Sequence, residues 1–149
     1  MASPQSLIEN KLHMTHTFAA PRERVFRAWA DAREFAQWFH PSQDYKTVIT
    51  RLDFRVGGKY SIEMHHKAGN VHSLFGTYQQ IKPPEKLVFT WRWKTEEPLL
   101  DSLVTVEFRD LGDSTEISLT HERLPNAEEV AKHTEGWTGC LGQLAEYLT

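Results

Sequence analysis

LVFTWRW, residues 87–93, is a run in which large apolar side chains alternate with smaller or polar ones. In a β-strand, successive side chains point to opposite faces, so Phe89, Trp91 and Trp93 would share one face. Three large rings in a row can fill a core, line a cavity or offer a patch to a partner. The alternation therefore predicts a strand, and it leaves those three uses of the aromatic face open.

Strand-like segments surround this run on both sides, separated by short turns. Upstream lie KLHMTHTF, KTVITRLDF, KYSIEM and VHSLFGTYQQI, and downstream, after a loop that contains Pro98, lie SLVTVEFRD and STEISLTH. KAGN and KPPEK have turn composition, and Gly57-Gly58 breaks the chain between two strands. Connections this short join neighbouring antiparallel strands, so we predict an antiparallel sheet of about six to seven strands.

Three helices are predicted beside the sheet. Pro21 opens PRERVFRAWA and Asp31 can cap AREFAQWF, so two short helices follow the first strand. Asn126 can cap a long helix that ends at Leu148, in which apolar residues recur every three or four positions. Small residues on one side of this helix would permit close approach of the sheet or of a ligand: Gly136, Gly139 and Gly142. The predicted fold class is α+β, with a curved sheet that grips the C-terminal helix.

The composition is that of one folded globular domain. The chain has 149 residues, of which 40% are hydrophobic and 25% charged, and we place one domain over residues 1–149 with its core at 12–148. The net charge of −3 argues against a nucleic-acid or anionic-membrane partner. One cysteine suits a reducing compartment, and no signal-peptide or membrane-spanning stretch is seen, so we expect a cytoplasmic protein.

Four stretches give the sequence a family resemblance: APRERVFRAWADAREFAQWFHP, LDFRVGGKYSIEM, FGTYQQIKPPEKLVFTW, and the segment from VTVEFRDLGDSTEISLTH to the last helix. In their order and spacing they resemble the activator-of-heat-shock-ATPase homologue (AHSA-type) domains. These belong to the START-like (SRPBCC) helix-grip superfamily, which also contains pollen-allergen-like and polyketide-cyclase-like proteins. The resemblance implies the helix-grip fold. It further implies a cavity for a hydrophobic ligand, an enzymatic reaction or a co-chaperone role.

An apolar pocket between sheet and helix is the functional interpretation of the aromatic residues, and an ordinary packed core is its alternative. The resemblance favours the pocket, because helix-grip proteins usually keep one. Rings would supply affinity by apolar burial, while Tyr60, His72 and Tyr78 would orient the ligand through hydrogen bonds. We predict that the following residues line the pocket: Trp38, Tyr60, Met64, His72, Tyr78, Phe89, Trp91 and Trp137. Trp93 lies near the strand end and is the residue expected at a rim.

Catalytic and metal sites are not predicted. The adjacent His65 and His66 would point to opposite faces of a strand, so they do not form a zinc site, and no H-E-x-x-H spacing occurs. Cys140 lies far from a helix N-terminus that would lower its pKa, so it is interpreted as a packed thiol. We expect no metal and no cofactor.

The function predicted from the sequence is the binding of a small hydrophobic or amphipathic molecule. One alternative is a cyclase-type or hydrolase-type enzyme in the same cavity, with His72 as the only candidate general base. The second is a protein-interaction module that stimulates a heat-shock ATPase, with a chaperone as its partner. The sequence leaves the ligand and the oligomeric state, monomer or homodimer, open.

Overall fold

The computed structural model describes residues 10–94 and 101–149, so the N-terminal segment and the loop predicted around Pro98 lie outside the described residues. Seven strands and three helices follow one another along the chain. In order they are β1 Leu12–Phe18, α1 Arg22–Ala30, α2 Ala32–Trp38, β2 Tyr45–Leu52, β3 Lys59–His66, β4 Val71–Lys82, β5 Lys86–Trp93, β6 Ser102–Asp110, β7 Thr115–Glu122 and α3 Ala127–Tyr147.

The strands form a single antiparallel sheet in the order β1-β7-β6-β5-β4-β3-β2. From β2 to β7 each strand pairs with the next one in the chain, as the short turns predicted. β1 is the exception, because it pairs with β7 in the register Leu12 with His121 and Phe18 with Thr115. The predicted α+β class is confirmed: a curved seven-stranded sheet packs against two short helices and a long C-terminal helix.

Side-chain caps start two of the helices where the sequence predicted them. The Asp31 carboxylate accepts a hydrogen bond from the Glu34 amide at 3.0 Å and begins α2. The Asn126 side chain accepts from the Glu129 amide at 2.9 Å and begins α3. Pro21 precedes α1 and gives no side-chain cap, although its fixed φ suits the start of a helix.

The concave side of the sheet packs against α1, α2 and α3 through an aromatic core. Trp29 stacks on Trp137 with ring centroids 6.1 Å apart, and this contact joins α1 to α3. Gly139 permits the close approach of α3 to the chain after α2, since a Cβ there would lie 2.2 Å from the Pro41 carbonyl oxygen. Among the described residues, no helix is both long and apolar enough to cross a membrane.

Candidate functional site

A cavity of about 230 Å³ opens to solvent between α3 and strands β3 and β5. β3 contributes Met64, β5 contributes two tryptophans, and α3 contributes most of the remaining wall. The lining is mainly apolar and consists of Pro41, Met64, Trp91, Trp93, Glu129, Lys132, His133, Gly136, Trp137 and Cys140.

The period of each element explains which side chains reach the cavity. Trp91 and Trp93 are two residues apart in β5, so both point to the face that meets α3. On α3, His133, Trp137 and Cys140 follow the three-to-four spacing of one helical face. The ring centroid of Trp91 lies 5.5 Å from that of Trp93 and 5.1 Å from that of Trp137. The three indoles therefore form one continuous aromatic wall.

A chain of hydrogen bonds fixes the deeper part of this wall. The Trp137 indole N–H donates to His121 Nδ1 at 3.1 Å, so that nitrogen carries no proton. His121 Nε2 then donates to Ser102 Oγ at 2.7 Å, and the Ser102 hydroxyl donates to the Trp91 carbonyl at 3.0 Å. His121 is fully buried, and this burial lowers its pKa to about 3. The imidazole is therefore neutral and has a single tautomer.

His133 holds the outer part of the wall in the same way. Its Nε2 accepts the Trp93 indole N–H at 3.0 Å, and its Nδ1 donates to the Glu129 carbonyl at 2.7 Å. Neither ring nitrogen is left for a ligand, and the ring centroid lies 5.0 Å from that of His121. Both imidazoles therefore act as acceptors for cavity tryptophans, which each can do only while neutral.

Charged groups are concentrated at the mouth of the cavity. The exposed Lys132 ammonium lies 3.5 Å from carboxylate oxygens of both Glu128 and Glu129. Deeper in, the Trp91 indole N–H is buried and has no hydrogen-bond partner among the described residues. The cavity thus combines an apolar interior with a charged entrance.

Three of the eight residues predicted to line a pocket lie on the cavity wall: Met64, Trp91 and Trp137. Tyr60, Tyr78 and Phe89 are buried behind Trp91, around a void of only about 10 Å³. Trp38 is fully buried in the helical core, where its indole N–H donates to the Ala28 carbonyl at 2.8 Å. His72 pairs with Met64 across the sheet but is exposed, with its ring centroid 6.3 Å from that of Trp93.

These positions do not suit the orienting role that the sequence suggested for two of the residues. The Tyr60 hydroxyl donates to the Thr90 carbonyl inside the core, so it is not available to a ligand. His72 pairs with Met64 in the sheet, but its side chain is exposed. It therefore lacks the buried setting that a general base in the cavity would need.

Sequence reasoning missed most of the α3 wall. His133 lies four positions before Trp137 on the same helical face, and this spacing was the signal that could have found it, whereas Gly136 was already predicted as a small residue that permits close approach of a ligand. Trp93 was placed at a rim, and it does stand at the outer end of the aromatic wall. The acceptor role of His121 has no sequence signal, because it depends on the pairing of β6 with β7 beside α3.

Metal binding and thiol chemistry find little support in this geometry. Within residues 10–94 and 101–149, no three His, Cys, Asp or Glu side chains are grouped to hold a metal ion. Cys140 is buried in the cavity wall, and burial raises the pKa of its thiol, so little reactive thiolate forms.

Comparison with known proteins bears on the fold and the family. Solved structures with the same fold include a protein from Chromobacterium violaceum, 29% identical with a TM-score of 0.87 over 94% of this chain and 97% of that one. An AHSA1 protein from Silicibacter pomeroyi is 25% identical with a TM-score of 0.82, over 93% and 96% of the two chains. An AHSA1-like protein from Aeromonas hydrophila is also 25% identical, with a TM-score of 0.79 over 92% and 90%.

The sequence matches no curated protein. It does match the model of a protein family, Activator of Hsp90 ATPase homolog 1-like protein, over residues 19–149. That match begins just after β1 and takes in both short helices, strands β2 to β7 and the whole of α3. The chain therefore belongs to the family of Activator of Hsp90 ATPase homolog 1-like proteins.

Proposed function

We propose that this protein binds a small apolar or amphipathic molecule of one ring or two fused rings in the cavity between α3 and the sheet. The observation that carries the proposal is the open cavity walled by Trp91, Trp93 and Trp137. Concave, mainly apolar sites with a few polar groups are the usual form of small-molecule sites. The family membership supports the same function, since its fold commonly binds hydrophobic ligands.

The cavity volume limits the size of the ligand. An apolar cavity of about 150 Å³ holds benzene, which corresponds to roughly 25 Å³ for each heavy atom. On that scale a volume of about 230 Å³ accommodates about nine heavy atoms, the size of indole. A three-ring compound or a long fatty acid would leave much of its surface in water.

The distribution of polar groups sets the orientation of the ligand. Trp93, Trp137 and both histidines already have their hydrogen bonds, so apart from the unpaired Trp91 N–H the interior offers a ligand mainly apolar surface and favours a ring. A polar substituent would point to the mouth, where Glu129 and Lys132 lie. A buried ring of about 200 Å² contributes about 5 kcal/mol, so we expect a Kd on the order of 0.1–1 mM for an unsubstituted ring.

Isothermal titration calorimetry with ligands of graded size tests the proposal. Toluene and indole should bind, whereas anthracene carboxylate and palmitate should bind no more tightly than indole despite their larger apolar area. Trp93→Ala removes part of the wall and should weaken indole binding about five- to tenfold. His72→Ala, outside the wall, is the matched control and should bind like the wild type. If no ligand binds, or if the two variants weaken binding equally, the proposal is wrong.

The two alternative functions have less to support them. An enzyme would need a free titratable group in the cavity. Both nitrogens of His133 are engaged, Lys132 is paired with Glu129 at the mouth, and burial raises the pKa of the Cys140 thiol. A co-chaperone surface would need a continuous apolar patch. On the outer face of the sheet the exposed Val48, Val71 and Phe75 instead have polar cross-strand partners, namely Glu63 for Val48, His65 for Val71, and Ser61 and Arg92 for Phe75.

A further inference from the structure

We infer that Gly136 sets the upper size limit of the ligand, because the space left by its missing side chain is part of the binding volume. The inference rests on the proposed ligand-binding function and adds to it the residue that determines size specificity. It starts from a comparison of three glycines on the same helix.

Glycine weakens a helix relative to alanine, so each glycine inside α3 calls for a reason. At Gly139 the reason is packing, since a Cβ would collide with the Pro41 carbonyl oxygen. At Gly136 an added Cβ meets no atom within 4 Å, and the residue does not adopt a positive φ. Neither packing nor backbone conformation requires glycine at position 136.

What distinguishes Gly136 is its place on the cavity wall. It lies between His133 and Trp137, both of which line the same cavity. The open space beside it is therefore space that a ligand would occupy. Gly142 also has no atom within 4 Å of an added Cβ, but it does not line the cavity. The chain thus provides a matched control on the same helix.

The volume of the cavity gives the expected effect of each substitution. At roughly 25 Å³ for each heavy atom, an alanine at position 136 reduces about 230 Å³ to about 205 Å³. A leucine side chain has four carbon atoms and would leave about 130 Å³, less than the roughly 150 Å³ that holds benzene. Toluene needs about 175 Å³ and indole about 225 Å³ on the same scale.

The test is calorimetric titration of the wild type, Gly136→Ala, Gly136→Leu, Gly142→Ala and Gly142→Leu with toluene and indole. We expect Gly136→Ala to bind toluene like the wild type and indole about fourfold more weakly, because about one ring atom is displaced into water at the mouth. Gly136→Leu should lose both ligands, and both Gly142 variants should keep both. Thermal unfolding of each variant verifies that it is folded, and if Gly136→Leu does not fold, the size-selective loss in Gly136→Ala decides the matter.

The titrations distinguish the failure of this inference from the failure of the proposed function. If the wild type binds neither ligand, the proposed function and the inference about Gly136 are both refuted. If the wild type binds both ligands and the Gly136 variants bind them as tightly as the wild type does, the proposed function stands and the role of Gly136 is refuted. Equal weakening by the Gly136 and Gly142 substitutions also refutes it, because the effect would then come from the helix as a whole.

Discussion

Replacing His121 with glutamine should remove a specific part of the acid sensitivity of the fold. His121 is fully buried and neutral, accepts from Trp137 and donates to Ser102. A glutamine at this position offers one acceptor and one donor as well, but it has no proton to gain. The substitution His121→Gln therefore preserves the hydrogen-bonding types while it eliminates the titration.

The size of the effect follows from the pKa of His121 in the two states. The unfolded imidazole has a pKa near 6.5, whereas burial lowers the folded value to about 3. As the pH falls below about 6.5, the unfolded chain binds a proton that the folded chain does not, so the free energy of unfolding decreases. The stability is fully present above about pH 6.5 and is lost at about 1.4 kcal/mol per pH unit below it, or about 2 kcal/mol by pH 5.

Urea unfolding at about pH 7.5 and about pH 5 measures this loss. Between the two conditions the wild type should lose about 2 kcal/mol more than His121→Gln, because the other titrating groups are common to both. The exposed His72→Gln is the control and should follow the wild type. If His121→Gln loses as much stability as the wild type, the buried imidazole is not the acid-sensitive group and the reasoning fails.

Two further predictions concern stability. Gly142→Ala should stabilise the protein by about 0.5–1 kcal/mol through helix propensity, whereas Gly139→Ala should destabilise it by about 1–3 kcal/mol through the collision with Pro41; equal urea midpoints would contradict the packing account. Glu34→Gln should cost about 1–3 kcal/mol near neutral pH, since its half-buried carboxylate accepts from Arg24, Arg27 and Tyr147. Although burial opposes the shift, hydrogen bonds from Tyr147 and Arg24 lower the pKa of Glu34, so its contribution is present above about pH 4.5 and is lost as the pH falls through the lowered value. Glu116→Gln is the control and should change the urea midpoint little, because Glu116 has one ion-pair contact, 3.9 Å long, to the exposed Arg109. A Glu34 effect no larger than this would contradict the prediction.

Much of the fold was predictable because local patterns and tertiary packing agree. The alternation in LVFTWRW predicted the strand observed as β5, and Asn126 was predicted as the cap that begins α3. The short turns predicted the antiparallel pairing of successive strands from β2 to β7. The pairing of β1 with β7 was not predictable from local pattern. That contact joins residues about a hundred positions apart, so it depends on the tertiary arrangement of the whole sheet rather than on a local signal.

The candidate site was less predictable, because alternation shows which face of a strand a side chain occupies but not how deeply that side chain is buried. Alternation places Phe89, Trp91 and Trp93 on one face, and the structure shows these three rings at different depths along the strand. Phe89 is buried in the core, Trp91 separates core from cavity, and Trp93 stands at the rim. The position of α3 determines that order, because Trp137 packs against Trp91 and His133 bonds to Trp93.

The tryptophan indole N–H resonances provide the most direct test of ligand binding in this cavity. The chain has five tryptophans, so a ¹⁵N-labelled sample should show five indole cross-peaks. Trp91, Trp93 and Trp137 line the cavity, whereas Trp38 is fully buried with its N–H bonded to Ala28. Single Trp→Phe variants assign the peaks.

Titration with toluene should shift the cross-peaks of Trp91, Trp93 and Trp137 along one saturable curve and leave that of Trp38 in place. The fitted Kd should fall on the order of 0.1–1 mM. A spectrum that does not change up to the solubility limit of toluene would contradict the account, as would a shift of Trp38 as large as that of Trp93.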